Sequence, residues 1–127
     1  MKLLLDTHAF LWFVTGDPRL SRRARRALEA DGAELFLSAA SVWEMAIKAS
    51  LGRLVLPASV EEYVAEKLAE GFSMMSIDWP HATAVEKLPF LHRGPFDRLL
   101  AAQALTERVS LVSADPVFRE YGVKVIW

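Results

Sequence analysis

Four acidic residues, Asp6, Glu44, Asp97 and Asp115, are spread along a chain of 127 residues. Each stands where a strand ends or a helix begins in the reading below. Taken singly, each has a structural role open to it. Asp6 can cap the helix that follows it. Glu44 can close a capping box begun by Ser41. Asp97 can complement the macrodipole of a first helical turn, a gain of about 0.3–1 kcal/mol. Asp115 before Pro116 is ordinary turn chemistry. Taken together they allow something else. Carboxylates within about 4–6 Å raise one another's pKa, so a gathered set calls for a cation. Donors that are all hard oxygens suit Mg2+ or Mn2+. The chain has no cysteine, and His8, His81 and His92 lack the spacing of a zinc motif. The three histidines read as packing or surface residues, with His8 the one near the acids.

The elements that must carry these acids follow from patterning. Lys2 to Leu5 is a short apolar run, a buried first strand. Ala9 to Val14 reads as a short helix closed by Gly16-Asp17-Pro18. A second helix runs from Ser21, its N-cap, to Ala30, with Gly32 past its end. Glu34 to Leu37 is the second strand. Ser41-Val42-Trp43-Glu44 has the form of a capping box that opens a helix ending near Gly52, and Ser59-Val60-Glu61-Glu62 opens another that ends before Gly71. Ser73 to Ile77 is the third strand. Asp78-Trp79-Pro80 begins a short helix, Leu88 to Pro95 is a loop, and Phe96 to Glu107 is a helix rich in Ala and Leu. Ser110 to Ser113 and Val123 to Trp127 are the last strands, with a turn or short helix at Asp115-Pro116 between them. Strands alternating with helices imply an α/β fold, a parallel sheet with helices on both faces. In such a sheet all four acids fall at the carboxyl edge, where open α/β sheets bind ligands.

Composition sets bounds on the rest. The length is that of one domain, read as spanning 1–127. With no cysteine there is no disulfide and no thiolate metal site, which suits a reducing, cytoplasmic setting. The apolar stretch Leu3 to Val14 is broken by Asp6 and His8 and falls far short of the roughly 20 residues a membrane span needs. It also lacks the cleavage site of a signal peptide. Hydrophobic residues make up 53% of the chain, enough to leave apolar surface for a partner. Net charge is −1, so overall charge does not mark a nucleic-acid binder. Basic residues cluster locally all the same: Arg19, Arg22, Arg23, Arg25 and Arg26 lie within eight positions. They form either a solvated helix face or a contact to an RNA backbone.

Four stretches together resemble the PIN-domain ribonucleases, in particular VapC-type toxins. These are Leu3-Leu4-Leu5-Asp6-Thr7-His8, Ser38 to Lys48 around Trp43-Glu44, His92 to Ala104 around Pro95-Phe96-Asp97-Arg98, and Leu111-Val112-Ser113-Ala114-Asp115 with Phe118, Tyr121 and the final Trp127. They stand in order and cover the whole chain. The resemblance implies a three-layer α/β/α fold with a mostly parallel sheet of about five short strands. It implies metal-dependent hydrolysis of RNA phosphodiester bonds. Asp6, Asp97 and Asp115 become the principal Mg2+ or Mn2+ ligands, and Glu44 a ligand or water-orienting group. Ser113 and Thr7 become auxiliary positions at the metal site. Gly94 departs from the pattern, since many relatives carry an acid there, and an auxiliary contact from that loop is therefore not carried over. The resemblance also implies a cognate antitoxin and a homodimer.

RNA must be drawn to a site that is negative before it binds metal. Lys48, Arg93 and Arg98 are candidate phosphate contacts, although Lys48 also forms an i,i+4 pair with Glu44 and Arg98 can simply offset Asp97. Two other functions are open to such a chain. A phosphotransfer or phosphatase domain also uses an Asp after its first strand, but a phosphatase of that type places a second Asp two residues on, where this chain has His8. A non-catalytic binding module on the same fold would be favoured by a missing acid, and all four are present.

Overall fold

The computed structural model describes residues 1–91 and 94–127. In chain order the elements are β1 (Lys2–Leu5), α1 (Thr7–Thr15), α2 (Arg22–Glu29), β2 (Glu34–Ser38), α3 (Ala39–Ser50), α4 (Val60–Ala69), β3 (Ser73–Met75), α5 (Trp79–Ala84), a 3-10 turn at Val85–Lys87, α6 (Pro95–Glu107), β4 (Ser110–Val112), α7 (Val117–Glu120) and β5 (Val125–Ile126). The five strands form one sheet in the order β3-β2-β1-β4-β5, and every pairing is parallel. The chain moves outward from β1 to β3 on one side, then returns to place β4 on the other. The direction of winding therefore changes between β1 and β4, with Leu5 opposite Val112.

Burial explains the run of leucines in β1. Leu3, Leu4 and Leu5 are all fully buried because helices cover both faces of the sheet. Leu3 and Leu5 join Phe10, Leu28, Leu37, Met45 and Tyr63 in one core. Leu4 joins Leu100, Leu111, Phe118 and Tyr121 in the other. Three layers thus meet at β1, the strand that leads into Asp6.

A buried polar side chain ties the carboxyl ends of two strands together. The amide of Gln103, fully buried on α6, accepts from the Ser38 hydroxyl (2.5 Å) and donates to the Ser76 carbonyl (3.2 Å). It links the ends of β2 and β3 to α6.

Several boundaries differ from the patterning, each for a local reason. α1 begins at Thr7, two residues before the apolar pattern does, because the Asp6 carboxylate accepts from the Ala9 N–H (2.8 Å) and caps it. α3 begins at Ala39, not at Ser41. Its cap is Ser38, whose hydroxyl accepts from the Ala40 N–H (3.0 Å). Ser41 lies inside the helix, fully buried, and its hydroxyl has no hydrogen-bond partner among the described residues. The Ser41–Glu44 capping box therefore does not exist, which frees Glu44 from that role. β3 ends at Met75 and β5 spans only Val125–Ile126, both shorter than the apolar runs they lie in. Among the described residues no helix is long and apolar enough to cross a membrane.

Candidate metal centre

The strand and helix ends bring all four acids to one place. Asp6 follows β1, Asp115 follows β4, Asp97 lies in the first turn of α6, and Glu44 lies in the second turn of α3, not in the first as the patterning predicts, because the helix begins at Ala39. They line a single pocket of about 270 Å³ with Thr7, His8, Trp12 and Ala114. The pocket opens where the sheet changes winding direction, the position at which doubly wound sheets bind ligands.

Asp6, Glu44 and Asp115 are held by contacts of their own. Asp6 is buried, caps α1 through Ala9 and accepts from Ser113. Glu44 accepts from the Thr7 hydroxyl (2.5 Å) with one oxygen and pairs with Lys48 (3.0 Å) through the other. The Thr7 bond joins α1 to α3 across the mouth of the pocket. Asp115 turns its own loop: its carboxylate accepts from the Val117 N–H (3.0 Å), and its N–H donates to the Ser113 hydroxyl (3.0 Å). Ser113, fully buried, thus supports two of the four acids. The capping and turn roles of Asp6 and Asp115 are real, and they coexist with a place on the pocket wall.

The electrostatics of the pocket are set by burial and by acids near one another. Burial pushes the Asp6 carboxyl above its ordinary value of 3.8, and nearby Asp97 adds to the rise. Hydrogen bonds from Ser113 and Ala9 and the charge of His8 oppose it without cancelling it. Among the described residues no three carboxylate or imidazole groups are gathered tightly enough to hold a metal ion as they stand. The acids form an open ring around the pocket. Their donor chemistry is nonetheless that of a hard divalent cation, all carboxylate oxygen with hydroxyls behind. The raised Asp6 carboxyl is the group such a cation would stabilise as its anion.

Thr7→Val tests the support of Glu44. It removes one donor and keeps the shape. If the pocket holds a catalytic divalent ion, the expected result is about a tenfold rise in the ion concentration needed for half-maximal activity, the low end of what loss of an outer-sphere partner costs. Maximal activity at saturating metal should fall less, and Thr7→Ser should restore the wild-type value. Equal metal requirements in Thr7→Val and wild type would remove Thr7 from the site.

The remaining residues singled out by sequence fall in three places. Lys48 lies beside the pocket through its pair with Glu44. Arg93 and His92 lie outside the described residues. Arg98 is buried, and its guanidinium donates to the carbonyls of Pro89 (2.9 Å) and Val85 (3.2 Å), with longer contacts to Leu88 and the Tyr121 hydroxyl. The Phe90 ring stacks against it at 4.8 Å. Those bonds commit the Arg98 fork to the loop ahead of α6, away from solvent. One pocket residue was hidden by its setting. Trp12 lies in an apolar run that reads as core, but it is half-buried, stacks on His8 (5.6 Å between centroids) and lines the pocket. In the sequence it stands inside Leu11-Trp12-Phe13, a stretch that reads as core or as surface for a partner, and its spacing of four residues from His8 is the signal that points to the site.

The sequence matches the family model of the PIN domain over residues 3–124. No curated protein sequence matches it significantly. Solved structures do. The VapBC2 complex from Rickettsia felis, bound to a DNA fragment from its promoter, is similar with a TM-score of 0.73 at 16% identity, covering 98% of this chain and 97% of that one. VapBC-1 from nontypeable Haemophilus influenzae gives 0.67 at 18% identity, covering 98% and 96%. FitAcB from Neisseria gonorrhoeae gives 0.66 at 21% identity, covering 97% and 95%. At these identities the likeness is one of fold.

Proposed function

The chain belongs to the PIN-domain family, and from that premise we propose that it is a divalent-metal-dependent endoribonuclease, the toxin of a toxin–antitoxin pair. The observation that carries the reading is the convergence of Asp6, Glu44, Asp97 and Asp115, from four separate segments, on one pocket at the winding change of a parallel sheet.

Asp6, Asp97 and Asp115 are the ligands for Mg2+ or Mn2+ in this reading, and Glu44 ligates or orients the attacking water. A bound divalent ion supplies acidified water and neutralises charge that develops on the phosphate. The chain's own residues do the rest. Ser113 and the Ala9 N–H hold Asp6 in place. Thr7 and Lys48 fix the two oxygens of Glu44, so this carboxylate enters the reaction already oriented. Ser113 also braces the turn that carries Asp115.

The toxin role is supported by a toxin–antitoxin complex from Klebsiella pneumoniae among the structural neighbours, and the family resemblance adds a cognate antitoxin, a homodimer and a cytoplasmic setting for a single domain over 1–127. Trp43, Phe90 and Leu91 are exposed beside an apolar pocket of about 500 Å³, surface of the kind that protein partners cover. A metal-free binding module is the competing reading, favoured by the open spacing of the acids among the described residues.

The test is cleavage of single-stranded RNA with and without Mg2+ or Mn2+, alongside thermal unfolding. Metal at tenfold its Kd is expected to stabilise the fold by about 1.4 kcal/mol through mass action. Cleavage should require the metal and stop on chelation. Stabilisation without cleavage of any RNA would leave a binding module, and cleavage that survives chelation would overturn the metal mechanism.

A further inference from the structure

A second groove runs out of the acid pocket. It has a volume of about 320 Å³ and shares Thr7, His8 and Trp12 with that pocket. Its floor is the half-buried Trp12 on α1, and its rim carries Arg19, Lys48 and Arg53. The Arg19 guanidinium lies over the Trp12 ring at 5.1 Å and is itself held by Asp17 (2.7 Å). The Arg53 side chain is exposed and makes no ion pair or hydrogen bond among the described residues. Three cations thus rim the groove; Arg19 is paired with Asp17 and Lys48 with Glu44 at the junction with the acid pocket (3.0 Å), on a chain whose net charge is −1.

We propose that this groove binds a single-stranded stretch of RNA on one side of the scissile bond, with Arg19, Lys48 and Arg53 facing phosphates and the Trp12–His8 stack offering a face to a base. The inference rests on the ribonuclease reading and extends it to a path for the substrate. Cations alternating with an aromatic face are the pairing that single strands use, since every phosphate carries charge and every base has a ring face. The groove meets the acid pocket at Trp12, so a strand lying along it arrives at the carboxylates without crossing the exposed apolar surface around Trp43. The arginines of α2 line neither pocket; Arg22 and Arg26 are exposed on a helix beside β5. The basic run thus divides, with Arg19 in the path and the rest outside it.

The test measures affinity for a fluorescein-labelled single-stranded RNA by anisotropy at several salt concentrations, in EDTA and again in Ca2+, with cleavage measured separately in Mg2+ or Mn2+. Each phosphate contact on a single strand contributes a slope of about 0.7 in log affinity against log salt. Arg19→Gln with Arg53→Gln removes two contacts and touches no acid of the pocket. It should flatten the slope by about 1.4, weaken binding about tenfold and raise KM while kcat changes little. Trp12→Phe should keep most of the affinity. Trp12→Leu should lose at least about fivefold at an unchanged salt slope, given the size of base–aromatic stacking. Arg22→Gln with Arg26→Gln should leave the slope as it is.

If Arg19→Gln/Arg53→Gln binds and cleaves with wild-type slope and KM, the groove is not the RNA path, and a polypeptide becomes its expected occupant. The groove is equally ruled out if the α2 pair flattens the slope to the same extent, since charge anywhere on the surface would then suffice. RNA bound by the groove without cleavage in any metal would overturn the nuclease reading and keep the groove. No RNA binding by the wild type would overturn both.

Discussion

Asp6→Asn is expected to reduce metal-dependent RNA cleavage by on the order of 10²–10³-fold, the effect of removing one preorganised electrostatic group, and at the same time to stabilise the metal-free protein. The two effects share a cause. Burial holds the Asp6 carboxyl above its ordinary value of 3.8, so the folded protein binds that proton more tightly than the unfolded chain. The stability owed to this group is complete below about 3.8 and is lost as the pH rises through the raised folded value. Above that raised value the metal-free protein carries a buried charge at a cost. Asparagine keeps an oxygen for the Ala9 N–H and so keeps the cap, but it carries no charge. The expected gain is about 1 kcal/mol, the low end of the cost of an uncompensated buried polar group. That corresponds to a rise in Tm of roughly 3–5 °C for a domain of this size. The advantage of the variant should shrink as the pH falls below the folded value, and metal should stabilise it less than wild type. A variant that cleaves like wild type would place the chemistry elsewhere. One that is both inactive and less stable by about 2 kcal/mol or more would mean that the Asp6 charge stabilises the metal-free fold, and the account of a buried charge held at a cost would fail.

Arg98→Ala should destabilise the fold by about 3–6 kcal/mol, from two charge-assisted hydrogen bonds of about 1.5–3 kcal/mol each. The bonds are those to the Pro89 and Val85 carbonyls, made from two nitrogens of one planar fork in a buried setting. Arg98→Lys separates this role from phosphate binding. It keeps the charge, yet a single ammonium cannot serve both carbonyls with the geometry of the fork. It should recover less than half of the loss, as read by urea unfolding. Wild-type stability in Arg98→Lys would overturn the structural role of the fork, and a flattened RNA salt dependence in a stable Arg98→Ala would make Arg98 a nucleic-acid contact after all.

The two variants mark what could and could not be read from the chain. The parallel three-layer fold and the gathering of four acids at one sheet edge were legible, because apolar runs, caps and turn residues are local signals and a parallel sheet sends all its helix starts to the same side. The role of Arg98 was not. Its burial depends on the loop from Val85 to Pro89 folding back over α6, and no spacing encodes that. Glu44 shows the converse. The Ser41-x-x-Glu44 pattern is a sound signal in the wrong register, because Ser38 three residues earlier already caps the helix at the end of β2. What holds Glu44 is Thr7, 37 positions away, and only the meeting of α1 and α3 reveals it. Trp12 was hidden in the same way, as one apolar residue among several until the fold gave it a pocket.

The strand order also bears on how the molecule is made. β1 is synthesised before its neighbours yet lies at the centre of the sheet, and its second partner, β4, begins only at Ser110. At about 5–20 residues per second, the fully buried leucines of β1 wait roughly 5–20 s on the ribosome for the strand that completes their cover. A nascent chain in that interval is open to capture by holding factors and to aggregation. It also lacks Asp115, which follows β4. In the proposed reading no translation product that stops before Asp115 carries the full acid set, so the nuclease activity arises only as the sheet closes.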